Sequence, residues 1–207
     1  MAKIFHFTAQ HNLPSILKTG GILCDTRMGA HSFVNIGHSK IKARRTQRQV
    51  PVASHGVVAD YVPFYFAPRS PMLYSIHCGN VPNCTYKQTD VIYFAFDSGD
   101  IFSSALSYCF TDRNAVLAHA QFSISLADFN SNFIDWPLMK ERIWKNTPDD
   151  TERMERRMAE FLVHDFIPLS LLRGLAVYSA ANMTYVNNII SGYQQPLRVI
   201  LKPDWYF

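Results

Sequence analysis

Arg156-Arg157-Met158-Ala159-Glu160-Phe161-Leu162-Val163-His164-Asp165-Phe166-Ile167-Pro168 admits two readings, and the fold turns on which of them applies. At helical spacing Met154, Met158, Phe161 and Leu162 recur on one arc. Glu160 then sits on the polar arc one turn after Arg156, in a solvated ion pair contributing ~0.3 kcal/mol. Read with period two, the helix ends near Met158 and a strand starts at Ala159. Phe161 and Val163 then share one face, Glu160 and Leu162 the other, and Pro168 is the stop. A carboxylate directed off a strand into a cleft is a catalytic candidate, whereas a Glu beside an Arg is most often a surface charge.

A chain of 207 residues is long enough for one full-sized core, and no Pro/Gly/Ser-rich linker divides it, so a single domain spanning 1–207 is expected. No apolar stretch approaches membrane length, and His6, Gln10, His11, Asn12 and Lys18 interrupt any leader pattern; a cytoplasmic protein without a membrane partner is expected. Cys24, Cys78, Cys84 and Cys109 follow no zinc spacing, so neither metal nor disulfide is expected. The balance of 20 basic and 16 acidic residues gives only +4. Its distribution says more: Lys40, Lys42, Arg44, Arg45 and Arg48 run without an intervening acid. Such a patch can hold several phosphates or one acidic partner, or it is simply an exposed basic helix face.

Along the chain, Ile4–Thr8 reads as a strand carrying His6, and a helix follows with Asn12 as N-cap and Gly20-Gly21 as its end. Cys24 to Ser39 reads as a long loop, and Ile41 to Arg48 as a helix stopped by Pro51. Asp60 to Tyr74 alternates aromatic and β-branched residues, with Pro63 arguing for an edge position or a bulge. Ser70-Pro71 then opens a helix, which puts Arg69 at a helix N-terminus, a place suited to an anion. Asp90–Phe96 is a central strand, and Tyr108–Ala115 a strand turning into a helical stretch from Val116 to Phe122. Ser123 to Thr147 is irregular, with Phe129, Phe133, Trp136 and Trp144 fit for base stacking or for anchoring the loop. Strands at Leu175–Tyr178 and Arg198–Leu201 flank a helix from Ala181 to Ile190. Without regular βαβ alternation the class is α+β with a mostly antiparallel sheet.

Taken together, His6-Phe7-Thr8 with Asn12-Leu13, Ile36-Gly37, Ile41-Lys42-Ala43-Arg44-Arg45, DYVPFYFAPRSPML at Asp60–Leu73, FTDRNA at Phe110–Ala115 and AEFLV at Ala159–Val163 closely resemble the DarT toxins. These are bacterial DNA ADP-ribosyltransferases paired with a macrodomain antitoxin, DarG. The resemblance runs over nearly the whole chain in the family's order, although Ala9 stands where family members usually carry a second histidine. It implies the ADP-ribosyltransferase fold, a split antiparallel sheet with an NAD cleft and flanking helices. It implies NAD as co-substrate and single-stranded DNA as acceptor, with thymine ranked ahead of guanine. Glu160 becomes the transferase glutamate, whose carboxylate stabilises positive charge developing on the ribose. The family's catalytic arginine falls at Arg44, with Arg45 next, acting electrostatically because a guanidinium rarely gives up its proton. His6, Thr8, Asn12, Tyr65 and Arg69 become NAD-binding residues, and Lys42, Arg45 and Arg48 contact DNA.

Two alternatives stand beside this reading. A transferase of the same fold acting on RNA or protein would share His6 and Glu160 but would not need the DYVPFYF block. A non-catalytic nucleic-acid-binding domain would tolerate loss of Glu160 and gain no stability from NAD.

Overall fold

The computed structural model describes residues 1–207, the side chain of Ala30 excepted, and it resolves the choice at Glu160 in favour of a strand. A short helix, Arg153–Arg157, stops one turn before it. Phe161 and Val163 then enter the main core, while Leu162 packs in a separate cluster with Val50, Val58, Tyr61 and Cys109. That two-sided burial is what period two requires and period 3.6 cannot deliver.

Ten strands form, β1 (Lys3–Ala9), β2 (Gly21–Leu23), β3 (Tyr61–Tyr65), β4 (Val91–Asp97), β5 (Tyr108–Thr111), β6 (Phe122–Ser123), β7 (Glu160–His164), β8 (Phe166–Pro168), β9 (Gly174–Val177) and β10 (Val199–Leu201). Eight of them make one sheet in the order β10-β9-β4-β1-β3-β7-β5-β6, and β2 pairs with β8 in a second. Only β9 and β10 run parallel. Around the sheets lie α1 (Leu13–Thr19), α2 (Ser39–Arg45), α3 (Pro71–His77), α4 (Ser98–Phe102), α5 (Leu126–Phe129), α6 (Trp136–Lys140), α7 (Arg153–Arg157) and α8 (Ala180–Ile190). The α+β class and the mostly antiparallel sheet are as expected from the sequence. Among the described residues no helix is long and apolar enough to cross a membrane.

Pro63 lies neither on an edge strand nor at a bulge. Its strand pairs with β7 in unbroken register from Tyr61↔His164 to Tyr65↔Glu160. The missing N–H falls on the side of β1, with which β3 shares a single register pair, Phe5↔Tyr65. There the two strands part, and the His6 ring fills the gap by donating from Nδ1 to the Pro63 carbonyl at 2.9 Å. This parting, placed by a proline, is where the sheet opens beside Glu160.

Two other expectations fail. Val116 to Phe122 is not helical but a pair of turns, Asn114 to Leu117 and Leu117 to Ala120, followed by β6. Asn12 does not cap α1; its side chain reaches the loop at Val34 instead, and the helix is ended as expected by Gly20 at φ 72°. Ser70 does cap α3, accepting from the Leu73 N–H at 3.2 Å.

Candidate active site

β1, β3 and β7 are neighbours in the sheet, so His6, Tyr65 and Glu160 meet at one place although they are far apart in sequence. All three line a cavity of about 460 Å³, whose roof is the loop between β2 and α2 and whose flank is α2 itself.

Glu160 is 4% exposed, and its position is fixed by the chain on either side of it. Its Oε2 accepts from Arg45 Nη1 at 2.7 Å, its Oε1 accepts from the Ala115 N–H at 3.1 Å, and its own N–H donates to Thr111 Oγ1 at 3.0 Å. Arg45, the last residue of α2, is buried as well, at 8% exposed. Burial alone would lower its guanidinium, but the charge and hydrogen bond of Glu160 outweigh that and hold it above its ordinary value. Arg45 therefore stays a cation at neutral pH. Its Nη2 is buried without a partner, a cost of ~1–3 kcal/mol that a bound oxygen would remove.

His6 donates from Nδ1 to Pro63, which leaves Nε2 as the acceptor of a neutral ring. Burial pushes its pKa below the ordinary histidine value, against the smaller opposing effect of that hydrogen bond. Tyr65 stacks on Phe7, with ring centroids 5.8 Å apart. Burial and the Glu160 charge both push its hydroxyl upward, so it stays a proton donor. Thr8 Oγ1 accepts from Asn12 Nδ2 at 2.8 Å. The Asn12 amide also grips the Val34 backbone, donating to its carbonyl at 2.9 Å and accepting from its N–H at 2.7 Å. Asn12 thus fastens the roof to β1 with both ends of its amide engaged. Lys42 lines the cavity, bound to Asp25 at 2.8 Å with its ammonium 5.1 Å from the centre of the Phe33 ring.

Three residues singled out from the sequence lie elsewhere. Arg44, one residue before Arg45, is rotated about 100° around the helix and leaves the cavity; it is exposed and donates to the Val116 carbonyl at 3.0 Å. The structure therefore sets Arg45, not Arg44, against Glu160. Arg48 donates to the carbonyls of Ala115, Ala118 and Ala120, each at 3.3 Å, so its guanidinium is spent on bracing the turn whose N–H holds Glu160. Arg69 sits at φ 57° and turns away from the cavity. Its guanidinium lies 4.1 Å from the centre of the Phe207 ring and donates to the Tyr206 carbonyl. Burial, and next the nearby Arg142, lower its pKa. The residues that sequence reasoning passed over are Thr111, Asn114 and Ala115, which hold or adjoin Glu160, and Asp25. The first three lie in the FTDRNA block, so the signal was present without a role attached.

Comparison with known proteins identifies the arrangement. The profile of a family described as "DarT: ssDNA thymidine ADP-ribosyltransferase" matches residues 5–207. A DNA ADP-ribosyl transferase of Thermus sp. (strain 2.9) is 34% identical over 206 residues, covering 99% of this chain and 95% of that protein. One from Escherichia coli O127:H6 is 30% identical, covering 100% of this chain and 94% of its own. Among solved structures, Thermus sp. 2.9 DarT in complex with ADP-ribosylated ssDNA superposes with a TM-score of 0.92 at 33% identity, covering 100% of this chain and 96% of that one. The same protein in complex with NAD+ gives 0.89 at 32%, covering 100% and 98%.

Proposed function

The chain belongs to the DarT family of single-stranded-DNA thymidine ADP-ribosyltransferases, it transfers ADP-ribose from NAD to a base in DNA, and we propose that Glu160 and Arg45 are the two groups that carry the reaction. The observation behind this assignment is the buried Arg45–Glu160 pair, at 2.7 Å, in the wall of a cavity large enough for a nucleotide. The residues present suit NAD. Arg45 Nη2 lacks an acceptor, His6 Nε2 is an open acceptor, Tyr65 and Phe7 offer aromatic faces, and Lys42 adds positive charge. Bound NAD supplies an activated ribose with nicotinamide as its leaving group.

Glu160, held in place by Arg45, accepts from a ribose hydroxyl and stabilises positive charge developing on the sugar. As the ring nitrogen of the base bonds to the ribose carbon, nicotinamide leaves and the ring proton passes to solvent water; Arg45 remains protonated throughout and stabilises the negative charge the base acquires. His6 and Tyr65 position the co-substrate, and Thr8 and Asn12 keep the roof in place above it. Thymine is the acceptor base in this reading, following the family's description. Residues 1–207 act as a single domain in the cytoplasm, where NAD and DNA are both available. A macrodomain antitoxin, DarG, is the expected neutralising partner.

The test is mass spectrometry of short single-stranded oligonucleotides of varied base content after incubation with NAD, beside a Glu160→Gln control. One ADP-ribose added to thymine-containing strands, and none with the control, is the expected result. Equal labelling by the control would remove Glu160 from the chemistry, and adducts confined to guanine would overturn the base assignment.

A further inference from the structure

The FTDRNA block does more than hold Glu160. Asn114 lines the main cavity, whereas its neighbours Asp112 and Arg113 line a second cavity of about 520 Å³. The chain leading into β7 divides in the same way, with Met158 in the first cavity and Arg156 in the second. The two cavities therefore share a wall made of the same two short segments. The far side of the second is Asn132 to Asp135, in the loop between α5 and α6.

The charges lining this cavity cancel. Arg113 Nε is 2.8 Å from Asp112 Oδ2, and Arg156 is 3.0 Å from Asp135 and 2.7 Å from Asp150. A phosphate would have to displace a carboxylate to bind there. What remains free is uncharged: Gln121 and Asn132 line the cavity, and neither side-chain amide has a protein hydrogen-bond partner among the described residues, the Gln121 backbone alone being tied to Asp112. Each offers a donor and an acceptor on one planar head, the complement of a nucleobase edge. Phe133 adds an aromatic ring, fixed edge-on against Phe110 at 5.6 Å.

We infer that this second cavity is a nucleobase subsite, taking an unpaired base that flanks the modified one, and that Gln121 and Asn132 read its edge. The inference rests on the DNA-transferase reading. It makes Gln121 and Asn132 determinants of sequence preference with no part in the chemistry at Glu160.

The experiment offers the full chain, with NAD, a pool of single-stranded oligonucleotides that have one central thymine and randomised flanks, and sequences the modified fraction. Wild type should prefer particular bases at a flanking position. Asn132→Ala and Gln121→Ala should each flatten that preference by about fivefold or more at that position. Both residues are exposed, so the variants should fold, and NAD should raise the melting temperature of variants and wild type alike. An unchanged preference in both variants would overturn the subsite, as would an equal loss on all sequences accompanied by a flatter salt dependence, the mark of a phosphate contact. Wild type that modifies no oligonucleotide while still binding NAD would overturn the DNA-transferase reading, and the subsite with it.

Discussion

Replacing Glu160 by alanine should destabilise the protein as well as silence it. Glu160 is the one carboxylate within salt-bridge distance of Arg45 among the described residues, and their side chains are 6% and 9% exposed. Removing one partner of a buried pair typically costs ~3–5 kcal/mol, because the other charge stays desolvated without compensation. Arg45 starts with one nitrogen already unpartnered, so no second acceptor stands ready. For a chain of this size each kcal/mol lowers Tm by about 2–4 °C, which gives a fall of ~6–20 °C. Glu160→Gln keeps an oxygen for the Ala115 N–H and the shape of the side chain, so it should fall less while losing at least as much activity. Combining it with Arg45→Met removes both charges, and the double variant should be more stable than the sum of the single losses by ~2 kcal/mol or more. Thermal and denaturant unfolding without ligand measure wild type, Glu160→Ala, Glu160→Gln, Arg45→Met and the double variant. Additivity within ~0.5 kcal/mol, or a Glu160→Ala protein as stable as wild type, would refute the coupling of these charges.

Arg45→Lys keeps the charge but loses the planar fork, and single-turnover transfer to an oligonucleotide should fall by about a hundredfold, against less than about fivefold for Arg44→Ala. Arg69→Ala should leave NAD affinity within about twofold by calorimetry, because its guanidinium contacts Tyr206 and Phe207 outside the cavity; a loss above about tenfold would restore it to the NAD site. For His6 the folded pKa lies below the ordinary 6.5, so the unfolded chain takes up its proton first as the pH drops. Stability associated with the neutral ring is present above that value and is lost as pH falls through the folded pKa, so denaturant midpoints should decline below about pH 6.5 and His6→Gln should flatten the decline.

The strand at Glu160, the central strand β4 and the cap at Ser70 are legible in the sequence because each depends on neighbours within a few residues. The choice between Arg44 and Arg45 is set by helical phase, and a local clue exists: Ile41 and Arg45 are four apart and both line the cavity, so the apolar residue marks the inward arc. Arg69 offers no such clue. Its direction follows from a positive φ and from Phe207, 138 residues later, and neither can be read from local pattern. The turns at Val116 to Phe122 fail for a similar reason, since Arg44 of α2 and Arg48 just beyond it reach across to hold their carbonyls in a non-helical path.

The place of β7 between β3 and β5 has a consequence for how the protein is born. During synthesis the chain up to Ala159 can form the β1–β3–β4 group and the β5–β6 ribbon, but nothing joins the two until residues 160–164 leave the ribosome and fill the slot. The same insertion delivers Glu160 to Arg45. A nascent or truncated chain that stops short of this strand has neither a joined sheet nor the Glu160–Arg45 pair, and it should therefore be inert.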